Sequence, residues 1–149
     1  MTLDSLTARV GQTLGTSPWR TVSQATIDAF ADATDDHQWI HVDTERASRE
    51  GTTTIAHGLL TLSLLPTMRA EIGAIPTEGV ARAINYGYDS IRYLAPVPAG
   101  SRIRATSELL SADTRGRGLL LLRTRDTVEL EGSPKPALVA ESLVLIYPE

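Results

Sequence analysis

Residues 55–73 read IAHGLLTLSLLPTMRAEIG, and this stretch decides the fold. Apolar residues at 59, 60, 62, 64, 65, 68 and 72 wrap most of a helix circumference and do not line one face only. The pattern therefore predicts a long helix within this run that other elements must cover. Pro66 removes one backbone hydrogen bond inside it and predicts a kink. Gly73 is a natural stop.

The chain on either side supplies the cover. Beyond Val80 the segments ARAINYGYDSIRYL (81–94), SRIRATSELL (101–110), LLLLRTRDTVELE (119–131) and PALVAESLVLIY (136–147) show partial period-2 alternation. They are separated by the turn-prone breaks PVPAG, TRGRG and EGSPKP, so they predict a run of antiparallel strands. Toward the N-terminus, 18–22 reads as a short strand and Ser23 as the N-cap of a helix over 24–34, with Ile27, Phe30 and Ala31 as its buried stripe. The following DDHQWIHVD (35–43) breaks that period and predicts an irregular turn leading into a short helix over 45–50. Helices first and strands later define an α+β class in which one long helix is covered by a sheet.

With 149 residues the chain has the size of a single domain, 1–149. A net charge of −4 and a pI near 5.4 repel a polyphosphate backbone, so nucleic acid is not an expected partner. The basic residues are nearly all arginine, with Lys135 the one lysine, and exposed arginines ordinarily only solvate a surface. Absence of cysteine excludes disulfides, thiolate nucleophiles and Cys-ligated metals and fits a cytoplasmic setting. MTLDSLTARVGQTLG has no positive segment followed by an apolar one, so no export signal is expected. No apolar run reaches the length of a membrane span, and LVLIY is far too short.

All three histidines, His37, His41 and His57, fall within 21 residues together with Asp35, Asp36 and Asp43. Structural histidines and surface acids cluster by chance, so each competes with a plain packing role. Asp36 and His41, five apart, stand about 140° apart on a helix and on opposite faces of a strand. Only an irregular turn lets them converge on one water, where a carboxylate and an imidazole make an acid/base pair near neutral pH. His37 and His41, at i and i+4 in HQWIH, offer a metal-binding alternative, although the glutamate of the HExxH motif is Gln38 here. His57-Gly58 starts the long helix, whose first-turn amides are unpaired at the positive dipole end. Glycine there admits close approach of a carbonyl oxygen gaining charge, or serves helix–sheet packing.

ADATDDHQWIHVD (31–43), GTTTIAHGLLTLSLL (51–65) and SIRYLAPVPAGSRIR (90–104) together resemble the MaoC-like dehydratase and (R)-specific enoyl-CoA hydratase family, over a span from about Trp19 to the C-terminus. Its signature has an Asp, a short segment with Asn or Gln, a His five after the Asp, and an A-H-G at the start of a central helix. Asp36, Gln38, His41 and Ala56-His57-Gly58 match. The resemblance implies a hot dog fold, usually dimerised edge to edge, and reversible hydration of a trans-2-enoyl-CoA to the (R)-3-hydroxyacyl-CoA, a hydro-lyase step of fatty acid metabolism. Asp36 and His41 would be the catalytic pair holding water, the Gly58 amide the oxyanion donor, and Ile55 and Ala56 the lining of the entrance. Gln38 and His57 complete the motif around the substrate. No metal or organic cofactor is implied, and the partners are an acyl-CoA or acyl carrier protein thioester and a second copy of the chain. Acyl thioester hydrolysis, and a non-catalytic acyl-thioester-binding module, are the alternatives. Asp35 stands where the family commonly has glycine. Pointing inward, a second acid would raise the pKa of Asp36; pointing to solvent, it would change little.

Overall fold

From the N-terminus the chain forms helix α1 (Leu3–Thr7), strands β1 (Thr13–Thr16) and β2 (Arg20–Thr21), and helices α2 (Gln24–Thr34), α3 (Trp39–Val42), α4 (Thr44–Arg49) and α5 (Gly58–Ile72). Four long strands follow, β3 (Val80–Tyr93), β4 (Arg102–Thr114), β5 (Leu120–Leu130) and β6 (Leu138–Pro148). The computed structural model describes residues 3–149; Met1 and Thr2, the first residues of the N-terminal stretch in which no export signal is expected, lie outside them. Among the described residues no helix is long and apolar enough to cross a membrane.

The strands make one antiparallel sheet in the order β1-β4-β5-β6-β3, with β2 also paired to β4. Strands β5 and β6 alternate between buried and more exposed residues, so one face of the sheet is apolar and closes over α5. Leu60, Leu62, Leu65 and Met68 of α5 share a core with Ile103, Ala105, Val128, Leu138 and Ala140 of the sheet. The other face carries cross-strand ion pairs: Arg104 with Glu129, Arg123 with Asp89, and Arg125 between Glu108 and Glu141. These arginines keep the outer surface solvated.

Several elements differ from the sequence expectations. Helix α5 starts at Gly58, where the His57-Gly58 junction placed it; the Ile55 and Ala56 amides before it bond to the Ile40 and Val97 carbonyls, and Ile55 bridges Pro98. It runs unbroken through Pro66. The helix is not covered all round: Leu59 is 61% exposed, and Ser63, Thr67 and Ala70 continue an open stripe. The strand expected at 18–22 is only β2, while β1 has little apolar alternation and was not anticipated. Within the expected irregular turn lies the helical turn α3, held by Asp43 N–H on the Trp39 carbonyl and by Arg46 stacked 4.1 Å from the Trp39 ring. Tertiary packing here outweighs the weak helix preference of Trp39-Ile40. α2 forms as expected, with Ser23 accepting from the Thr26 amide and Ile27 and Ala31 buried, but Phe30 of the expected stripe is only partly buried against the core.

Between α5 and the sheet lies a buried charge. Arg69 is 2% exposed, and its guanidinium sits 3.6 Å from the Asp126 carboxylate of β5 and donates to Asn85 of β3 at 3.0 Å. The hydrogen bonds Asp126 accepts come from Ser107 of β4, Thr124 of β5 and Ser142 of β6. Removing one partner of such a pair strands the other charge without solvent. Asp126→Ala is expected to lower the unfolding free energy by about 3–5 kcal/mol in urea denaturation, whereas Arg125→Ala on the outer face is expected to change it by under about 1 kcal/mol.

Candidate active site

The chain leaves α2 through Asp35, whose φ of 57° and ψ of 19° form a left-handed cap. A glycine reaches this conformation freely and Asp more readily than most residues, so the helix stops and the backbone reverses here. The Asp35 side chain is exposed. One residue on, Asp36 is turned back toward α3 and the start of α5.

Three groups meet there. One carboxylate oxygen of Asp36 and one ring nitrogen from each of His41 and His57 all lie within 4.8 Å of one another. Both histidines are buried, at 7% and 3% exposure, and their rings stack with centroids 3.8 Å apart and planes 23° apart. Each ring is oriented by a backbone carbonyl. His41 Nδ1 is 2.7 Å from the Ile55 carbonyl and His57 Nε2 is 2.9 Å from the Asp36 carbonyl. A carbonyl only accepts, so these nitrogens carry the protons. In the neutral form of each ring the lone pair would then sit on His41 Nε2 and on His57 Nδ1. His57 Nδ1 is buried without a hydrogen-bond partner.

The frame behind these rings is tied at several points. The Ile55 amide bonds the Ile40 carbonyl and the Ala99 amide bonds Thr54, so residues 54–56 lie between the α3 turn and the 97–99 segment. Gln24, at the start of α2, donates to the His41 carbonyl at 2.8 Å and accepts from the Thr54 hydroxyl. None of these tethers has a recognisable sequence signal; a Gln at a helix start is unremarkable.

A cavity of about 460 Å³ opens beside His41 and is lined by Ile55, Ala56, Gly58, Tyr93 and Val97 among others. His57 caps α5 without a side-chain hydrogen bond to its first turn, so the N-terminal amides at Gly58 are uncapped where the helix meets the cavity. A Cβ added at Gly58 would stand 2.8 Å from the Tyr93 ring, so a side chain there would displace that ring. Tyr93, absent from the sequence expectations, thus packs directly on that glycine. Tyr93 is 49% exposed, yet partial desolvation of its phenol, with Tyr88 adding to it, raises it above the ordinary value of 10.0, so it remains a hydrogen-bond donor at neutral pH. Of the expected site residues, His41, Ile55, Ala56 and Gly58 line the cavity. Asp36 is exposed and does not line it, His57 lies behind His41, and Gln38 is exposed at the N-cap of α3.

His37 does not join them. Its Nε2 lies 2.8 Å from Asp32 on the surface, so HQWIH does not form a chelating pair. Among the described residues, the remaining donor set for a metal is Asp36, His41 and His57. A metal lies in the plane of each imidazole that binds it, and two planes only 23° apart, stacked at 3.8 Å, do not converge near their nitrogens. The arrangement favours a bound water over a shared ion.

A family model described as "MaoC like domain" matches residues 5–129. The chain belongs to the MaoC-like family. It is 51% identical over 140 residues to 3-hydroxyacyl-thioester dehydratase Z of Mycobacterium tuberculosis, covering 93% of this chain and 91% of that relative. It is also 45% identical over 148 residues to nodulation protein N of Rhizobium leguminosarum, covering 98% and 91%. Among solved structures, the (R)-hydratase from A. caviae involved in PHA biosynthesis superposes with a TM-score of 0.67 at 26% identity, covering 91% of this chain and 94% of that one. This MaoC-like chain therefore has the hot dog fold, with α5 as its central helix, and is a lyase of the hydratase/dehydratase kind.

The surface histidine makes a separable prediction. The Asp32 hydrogen bond, then the Asp32 charge, with Asp35 adding, raise His37 above the usual 6.5. A raised folded value means that the stabilisation is complete below pH 6.5 and disappears as pH climbs through the folded value. In an NMR titration, His37 should lose its proton at higher pH than an ordinary histidine, and Asp32→Asn should return it to the ordinary range. An unchanged titration in the variant would show that Asp32 is not the cause.

Proposed function

We propose that the protein catalyses reversible hydration of trans-2-enoyl thioesters to (R)-3-hydroxyacyl thioesters. The observation that carries this reading is the Asp36 carboxylate within 4.8 Å of a His41 ring nitrogen, with His41 Nδ1 engaged by the Ile55 carbonyl, next to a cavity that begins at the Gly58 end of α5. The names of the M. tuberculosis and A. caviae relatives support the substrate class and the stereochemistry.

In this mechanism a water donates one hydrogen to Asp36 and the other to His41 Nε2. Its oxygen bonds to C3 while His41 takes one proton. The C2–C3 π pair moves toward the thioester, building charge on the carbonyl oxygen beside the Gly58 N–H. His41 returns the proton to C2, and the hydrogen held by Asp36 stays on the new 3-hydroxyl. One water is added, and both residues end in their starting protonation states. The conjugated thioester activates the double bond, so no cofactor enters. Tyr93, Val97 and Ala56 give the cavity the apolar wall suited to an acyl chain.

The same reading includes a homodimer. β3 pairs with β6 along one edge, and its residues Ile84 and Tyr86 are 43% and 64% exposed, beside exposed Tyr93 and Leu94. A fourteen-residue edge of this kind is a template for another strand. Pairing of β3 with its copy would join the two sheets.

With crotonyl-CoA as substrate, Asp36→Asn and His41→Ala are each expected to lower kcat by about 10²–10⁴-fold; undiminished turnover in either would sink the assignment. Release of free CoA without 3-hydroxybutyryl-CoA would favour thioester hydrolysis instead. Tyr86→Glu is expected to shift the protein from dimer to monomer in light scattering coupled to gel filtration.

A further inference from the structure

The cavity and the two proton acceptors leave one buried titratable side chain without a task. His57 does not line the cavity, yet it is 3% exposed and its Nδ1 has no partner. An orphaned nitrogen in a core costs free energy that a leucine or phenylalanine of similar size would avoid. The ring makes two contacts that such a residue could not combine. Its Nε2–H donates to the backbone carbonyl of Asp36 at 2.9 Å, and its face lies flat on His41 at 3.8 Å. Phe30 of α2 closes the opposite side, tilted by 55° with centroids 4.9 Å apart.

We propose that His57 is a positioning residue which, as the neutral Nε2–H tautomer, locks the Asp36 backbone and the His41 ring into one rigid unit. This rests on the hydration reading given above. The two groups that must share a water are mounted differently: His41 on a helical turn, and Asp36 on the extended segment between Asp35 and α3. Hydrogen bonds hold His41 through Ile55 and Gln24, and those contacts do not reach Asp36. The bond from His57 does, and the same ring sets the height of His41. The N-cap residue of α5 therefore couples three positions at once: the carboxylate, the imidazole and the Gly58 amide that follows it. The tautomer is essential. A proton on Nδ1 instead of Nε2 would leave the Asp36 carbonyl without its donor, and an imidazolium would put a charge in the core against His41.

Two variants separate positioning from packing. His57→Phe keeps an aromatic ring against His41 and Phe30 but loses the donor. His57→Gln loses the ring but keeps an amide N–H at a reach close to that of Nε2. In crotonyl-CoA hydration, His57→Phe should lower kcat by about 100-fold, the scale of a misplacement near 1 Å, with KM within about threefold and the melting temperature preserved. His57→Gln should recover most of that loss. Phe retaining wild-type kcat, or Gln no faster than Phe, would overturn the proposal; so would a parallel loss of KM and folding in both. A readout independent of turnover is the two-bond 1H–15N spectrum of the wild-type histidines, in which His57 should be protonated at Nε2 and His41 at Nδ1. An Nδ1–H or charged His57 would overturn the positioning role even in an active enzyme. Wild-type protein inert toward crotonyl-CoA yet carrying these tautomers would instead overturn the hydration reading alone.

Discussion

A guanidinium shut away from water dictates where the central helix can lie. Arg69 has to be answered from inside the protein, and the sheet answers it with Asp126, itself held by hydroxyls from three successive strands. Apolar side chains alone would let the helix slide along the sheet by a turn at small cost, because hydrophobic contact is non-directional. A buried ion pair penalises such a slip, since each charge would lose its partner in a medium that cannot solvate it. The axial position of the helix is thereby fixed, and with it the place where its first residue, Gly58, emerges. The candidate site inherits its position from a contact three turns away.

Around that fixed end the site is arranged mainly by main-chain groups. The Ile55 and Asp36 carbonyls select which nitrogen of each histidine bears hydrogen, and neither depends on the identity of its own side chain. Gly58 contributes the absence of a side chain, which lets Tyr93 rest on the backbone. Side-chain chemistry is thus confined to a few residues, while the tolerances are set by backbone hydrogen bonds that also belong to the fold. Asp35 shows the same economy: its left-handed conformation turns the chain, and its charge faces solvent next to His37.

The parts legible in the sequence were those with a strong local signal. Ser23 ahead of a 3.6-residue pattern marked α2, the apolar run after Gly58 marked α5, and alternation marked the four long strands. The convergence of Asp36, His41 and the helix start was legible only through the combined motif, because spacing alone put Asp36 and His41 on different faces of any regular element. β1 was missed because Thr13–Thr16 contains a single buried residue, Leu14, and its pairing with β4 is interrupted by a bulge. α3 was missed because Trp39 is held by Arg46 from the next helix. One signal was available and unused: Asp126 falls in phase with Leu122 and Val128, inward-facing positions of β5, and an acid on the buried phase of a strand implies a partner.

Seen as a polymer problem, the hydrogen bond from His57 to the Asp36 carbonyl closes a loop of 21 residues. Gathering the ends of such a loop costs conformational entropy that grows only slowly with its length, so α3 and α4 can be accommodated inside it at little extra expense. That entropy is lost once, during folding. An acyl thioester arriving afterwards meets a carboxylate and an imidazole whose relative freedom has already been removed, and its binding need not order them again. Between Ser48 and Thr53, where every residue is exposed, the chain can therefore vary in sequence and length with little consequence for the spacing of the two groups, provided the closing contact and the Ile55 carbonyl that orients His41 are kept.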